Sequence, residues 1–150
     1  MALNITPPYF KKVLSVASTS TTATSAAFAL PLADRYTFYL NVTTATAGTC
    51  DCVFQTSVDG GTTYVNVPWR FAQIATTTGC LVLNVRVGLG NSYDVTAPTG
   101  TATLIADTGG ALALSAIVDP GHMKLKYTIG TGPDAFDLYC AGWPLGTQQE

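Results

Sequence analysis

Glutamate occurs once in this 150-residue sequence, at Glu150, and lysine and arginine together number seven. A solvated helix draws its wet face from these residues, so few such helices can be built. Charged residues make up 11% of the chain, against about a quarter in an ordinary domain. The net charge is −2 and the basic residues are scattered, which leaves no footprint for nucleic acid. No apolar run approaches the ~20 residues of a membrane helix. Residues 1–8 lack the basic stretch and apolar core of a secretory signal, so export by the standard route is not expected. There is no P-loop and no dinucleotide fingerprint. Disorder is disfavoured, because apolar residues reach 47% while the net charge is small.

What the chain does hold is threonine, 24 residues, and glycine, 14 residues. This is the composition of strands and turns. Strict alternation marks a strand over residues 35–42, where Tyr36, Phe38, Leu40 and Val42 share one face. Cys50, Cys52 and Phe54 share a face of the next strand, and Leu81, Leu83, Val85 and Val87 share a face of another. Met123, Leu125, Tyr127 and Ile129 alternate in the same way, as do Phe136, Leu138 and Cys140. Weaker strands are expected over 11–17, 64–67 (stopped by Pro68), 101–106 and 112–118; residues 69–74 read as a short strand or a connection, and residues 18–27 as a loop or a weakly specified strand. Asp59-Gly60-Gly61, Asp119-Pro120-Gly121 and Gly130-Thr131-Gly132-Pro133 mark turns.

The spacing predicts an all-β chain, an antiparallel β-sandwich or jelly-roll-like barrel of about eight to ten short strands. Pro7-Pro8 stiffens an extended N-terminal arm over 1–12. One domain follows over 13–145, and 146–150 form a polar tail. Residues 35–56 and 122–143 each read strand, Gly-Thr turn, strand, a weak repeat expected to form two hairpins. So small a charge complement suits a subunit covered by neighbours better than a free monomer.

Candidate sites are few. The four cysteines, Cys50, Cys52, Cys80 and Cys140, allow buried reduced thiols, a disulfide or a metal site. Structural zinc usually takes two paired knuckles, and one pair is present here, so buried thiols come first and no metal or cofactor is expected. His122 is the sole histidine and reads as a solvated turn residue, because no neighbouring pattern supplies a nucleophile and an orienting group. The aspartates sit mostly in turns. No catalytic constellation is legible, and the chain is not expected to be an enzyme.

Ser57, Asp59, Gly61, Thr63 and Tyr64 fit the Asp-box pattern Ser-x-Asp-x-Gly-x-Thr-aromatic, with Tyr64 where tryptophan is usual. Asp boxes cap hairpins in sialidase-like propellers and other β proteins. A propeller would need several copies, so this resemblance implies a capped hairpin and no glycosidase activity. A wider set runs from Gly48-Thr49-Cys50-Asp51-Cys52 through the turn to Tyr64, then Arg70-Phe71-Ala72-Gln73-Ile74, then residues 124–138 with Gly130-Thr131-Gly132-Pro133. It resembles small β-sandwich virion proteins of tailed bacteriophages, over roughly residues 35–143, although the Cys50-x-Cys52 pair is not part of that pattern.

The resemblance implies a structural virion component, first of all a capsid decoration or cement protein working by binding. Its expected partners are the major capsid protein or other virion subunits, with a homo-oligomer, a trimer above others, and no nucleic acid or membrane partner. Tyr9, Phe10 and Trp143 are the candidate contact residues. The alternative is a tail- or connector-associated carbohydrate-binding or host-adhesion module, for which Tyr64, Trp69 and Tyr93 would supply the aromatic platform.

Overall fold

The computed structural model describes residues 9–33, 35–46, 48–76, 78–86 and 118–143. Their strands are β1 (Tyr9–Thr19), β2 (Ala23–Thr24), β3 (Arg35–Thr44), β4 (Cys50–Ser57), β5 (Tyr64–Arg70), β6 (Gly79–Arg86), β7 (Met123–Ile129) and β8 (Asp134–Trp143). They form two four-stranded sheets, ordered β1-β8-β3-β6 and β2-β7-β4-β5. Every pairing is antiparallel. The pairs β1·β8, β2·β7, β3·β6 and β4·β5 are those of one long hairpin rolled over on itself, the strand order of a jelly roll. Among the described residues there is no helix, as the shortage of Glu, Lys and Arg requires.

The alternating patterns place the side chains. β3 buries Tyr36, Phe38, Leu40 and Val42 and turns Arg35, Thr37, Tyr39 and Asn41 outward. From the second sheet, Cys50, Cys52 and Phe54 of β4 and Met123 and Leu125 of β7 face them. Phe38 and Phe54 meet across the sandwich with ring centroids 4.5 Å apart, and Trp69, 1% exposed, packs on Tyr36, Phe38 and Phe54.

Three expectations need correction. Residues 9–12, expected in the arm, belong to β1, where Tyr9 to Lys12 pair with Gly142 to Tyr139 of β8. Pro68 does not stop β5, because β5 is a sheet edge and its register with β4 is interrupted between Asn66 and Arg70; an edge or a bulge spares proline the ladder bond it cannot donate. The tract 18–27, read as a loop or a weakly specified strand, gives Ser18 and Thr19 to the end of β1 and Ala23–Thr24 to β2. The two repeated units are not hairpins. β3 and β8 lie in one sheet and β4 and β7 in the other, so both Gly-Thr turns carry the chain between sheets. The strands expected at 101–106 and 112–117, the tail at 146–150 and residues 1–8 of the arm lie outside the described residues.

Candidate interaction face

The Asp-box turn is built as its residue types require. Ser57 Oγ accepts from the amides of Asp59 (3.3 Å) and Gly61 (2.7 Å), and Asp59 Oδ1 accepts from those of Thr62 (3.0 Å) and Thr63 (2.6 Å). These bonds, with that to Thr63 foremost, hold the Asp59 carboxyl below its ordinary range. Gly60 and Gly61 take φ of 70° and 107°, the left-handed region that favours glycine. Tyr64 begins the return strand, and Lys124 Nζ sits 4.0 Å from its ring centroid. The motif closes the β4–β5 hairpin.

His122 has a partner that the sequence reading missed. Its Nδ1 lies 2.8 Å from Asp119 Oδ2, and its ring rests on Gly61. The bond to His122 is the main cause that lowers the Asp119 pKa. The turn spacing Asp-Pro-Gly-His was the signal that could have found the pair. A Ser-His-Asp arrangement is nevertheless incomplete. Among the described residues no hydroxyl or thiol is bonded to the other ring nitrogen, and the Ser57 hydroxyl is engaged inside its own turn.

The described residues contain no cluster of three or more metal-ligating side chains. All four cysteines are free thiols. Cys50 and Cys52 are buried side by side with sulfurs 3.9 Å apart, and Cys140 is buried in the opposite sheet, where burial pushes its thiol up to about 12. Hydrogen bonding to Cys50 and burial raise the Cys52 pKa. A groove of about 370 Å3 between β1 and the β2–β7 edge is lined by Leu14, Val16, Thr19, Ser25 and Tyr127 among others, with Tyr127 as its sole ionisable side chain. None of these places assembles an acid, a base and a nucleophile.

A different feature lies on the outer face of the first sheet. Phe10 of β1 is 60% exposed. Its ring lies nearly parallel to Tyr139 of β8 (5.9 Å, 11°) and edge-on to Tyr39 of β3 (6.1 Å, 66°). Register explains the strip, since Tyr139 stands opposite both Lys12 and Tyr39, and directly opposed residues project to one face. The charges beside it are already matched. Lys12 Nζ is 3.7 Å from Asp137 and 5.9 Å from the Tyr139 ring, and Ser15 donates to Asp137. Thr37 donates to Asn84 on the same face (2.7 Å).

Of the expected contact residues, Phe10 is therefore exposed on the outer face of the first sheet. Tyr9 is partly buried against the core, and its pKa rises with that burial. Trp143 ends β8 opposite Arg35, and the contact role expected of it rests on a side chain outside the described set. Of the aromatics expected to form a sugar platform, Trp69 is buried in the core, Tyr64 lies under Lys124, and Tyr93 is outside the described residues. No protein-family model, curated protein or solved structure matches the chain.

Proposed function

We propose that the chain is a non-enzymatic structural protein of a tailed-bacteriophage virion, a decoration or cement subunit that stabilises the head shell. The observation that carries this reading is the strip of Phe10, Tyr139 and Tyr39 on a sheet face where Lys12 and Asp137 beside it are paired with each other. Such a face loses little by being covered, because its ions need no new partners, and aromatics anchor interfaces well. The jelly roll supports the reading, since this architecture recurs in viral capsid proteins, although it also serves lectins and a fold alone does not fix function.

Size sets the mode of binding. Four strands about 4.8 Å apart, each of about ten residues at about 3.4 Å, offer roughly 650 Å2. A standard interface takes about 800 Å2 per partner. One copy would bind weakly, and oligomerisation, with a trimer expected, would make attachment firm through multivalency. The partner in this reading is the major capsid protein or another virion subunit, and the working location is the assembled particle.

The test is uptake of the purified protein onto shells lacking it, with its position found by electron cryomicroscopy. Saturable uptake that Phe10→Ala lowers at least about tenfold, with unchanged thermal stability, supports the reading. Absence of uptake, with density on the tail instead, overturns it. A second reading, a carbohydrate-binding adhesion module, draws on the same strip, because aromatic faces rimmed by polar groups also suit sugars. Specific binding on a glycan array, lost in Phe10→Ala, would select it.

A further inference from the structure

The outer face of the second sheet differs from that of the first. Val53 in the middle of β4 stands opposite Arg70 of β5 on one side and Lys126 of β7 on the other. Two residues along β4, Gln55 stands between Asn66 and Lys124. Opposed residues share a face, so Arg70, Lys124 and Lys126 project together. Among the described residues none of the three has a carboxylate within ion-pair distance. The carboxylate on the same β4 face, Asp51, has both oxygens 3.1 Å from Gln73 Nε2. On the first sheet Lys12 is matched by Asp137; here, among the described residues, three cations stand without a carboxylate around a half-buried valine, and only Lys124 has a partner, the Tyr64 ring.

We propose that this face is a second docking surface, and that its occupant is the acidic face of another protein. Charge complementarity selects the sign of the partner. Geometry narrows it further. Lys124 and Lys126 are two residues apart on one strand, about 7 Å, and Arg70 and Lys126 are two strands apart, about 10 Å. Carboxylates alternating along a strand repeat at about 7 Å and fit this grid. A long nucleic acid fits less well. Three cations neutralise few phosphates, and a chain of net charge −2 is acidic over the rest of its surface. With the Phe10 strip on the opposite side, the slab becomes a two-faced bridge, apolar toward one subunit and cationic toward another. This deepens the binding-subunit reading and rests on it, but its test is separate: a peptide titration can fail while shell uptake succeeds, and the reverse.

The probe is a soluble peptide of alternating glutamate and threonine, titrated at low salt into the isotope-labelled full chain and followed by amide NMR shifts. Shifts should centre on Val53, Gln55, Arg70, Lys124 and Lys126 and fade as salt rises. The triple variant Arg70→Glu, Lys124→Glu, Lys126→Glu should bind at least about tenfold more weakly, while Lys12→Glu on the opposite face binds as before. Should the triple variant misfold, Lys126→Glu alone must still lower the affinity. The proposal is overturned if shifts are absent or lie on another face. It is also overturned if a DNA duplex of equal charge binds the same residues more tightly, or if the triple variant loses self-association, which would make a second copy the occupant.

Discussion

Gly48 and Thr131 lie so close that a β-carbon on the glycine would run into both the Cβ and the carbonyl oxygen of the threonine. The relationship is reciprocal. Gly130 presses on Thr49 in the same way, and its amide donates to the Thr49 carbonyl at 2.7 Å. The two Gly-Thr turns thus nest where β3 passes to β4 and β7 passes to β8, tying both crossings between the sheets at one end. Gly48→Ala must separate them, and overpacking of this kind costs about 1–3 kcal/mol. The expected result is a melting temperature lowered by several degrees (roughly 2–4 °C per kcal/mol for this size). Gly60→Ala should cost less, because its φ of 70° strains the backbone but nothing lies within 4 Å of the added carbon. Equal losses for the two variants would mean that the turns do not nest.

The sequence made one level of this legible and hid the next. Period-two patterning in 35–42 and 50–55 named the inward residues of β3 and β4 because a strand's faces are fixed by local geometry. Gly48 and Gly130 told where the chain bends. They could not tell that the bend leads to the other sheet, since the partners of β4 are β5 and β7 and the second of these is some seventy residues away. The Asp-box turn was read correctly because every bond in it is local. The unmatched cations of the second sheet were missed for the opposite reason. Arg70 and Lys126 are unremarkable in sequence, and only the register of three strands sets them on either side of Val53.

The Asp59 carboxylate accepts the turn amides in its charged form, which holds its pKa below the ordinary 3.8. The sign follows from linkage. A carboxyl whose folded pKa is depressed adds stability that is complete above its unfolded value and is lost as pH falls through the folded one. Asp59→Ala should therefore melt lower than the wild type near neutral pH, and the gap should shrink as pH drops below 3.8. Melting curves of both proteins over an acid series measure it. A gap independent of pH would show that the charge of Asp59 contributes nothing to the turn.

The four thiols should divide sharply by reactivity. Thiolate is the reacting species; burial raises the pKa of Cys140 to about 12, the hydrogen bond to Cys50 and burial raise that of Cys52, and Cys50 and Cys52 are also closed to solvent. Cys80, at the start of the edge strand β6, also has its thiol pKa raised by partial burial but is exposed, so access rather than acidity sets it apart. Iodoacetamide at mildly alkaline pH should label Cys80 in the native protein and all four cysteines only after unfolding, as read by peptide mass mapping. Native labelling of Cys50 or Cys52 would mean that the sandwich opens at its centre.

Trp69 sets two magnitudes against each other. Its ring fills the middle of the core, 6.1–6.2 Å from the rings of Tyr36, Phe38 and Phe54, yet its indole N–H is buried without a hydrogen-bond partner. A buried donor left unpaired costs about 1–3 kcal/mol. Trp69→Phe leaves a small cavity but removes that donor, so the two effects oppose and the net change should stay within about 1 kcal/mol. Trp69→Ala removes the whole ring and should cost about 3–5 kcal/mol. Urea unfolding followed by circular dichroism separates the two. If Trp69→Phe proves nearly as damaging as Trp69→Ala, the N–H is satisfied in solution, and the centre of the core is polar rather than dry.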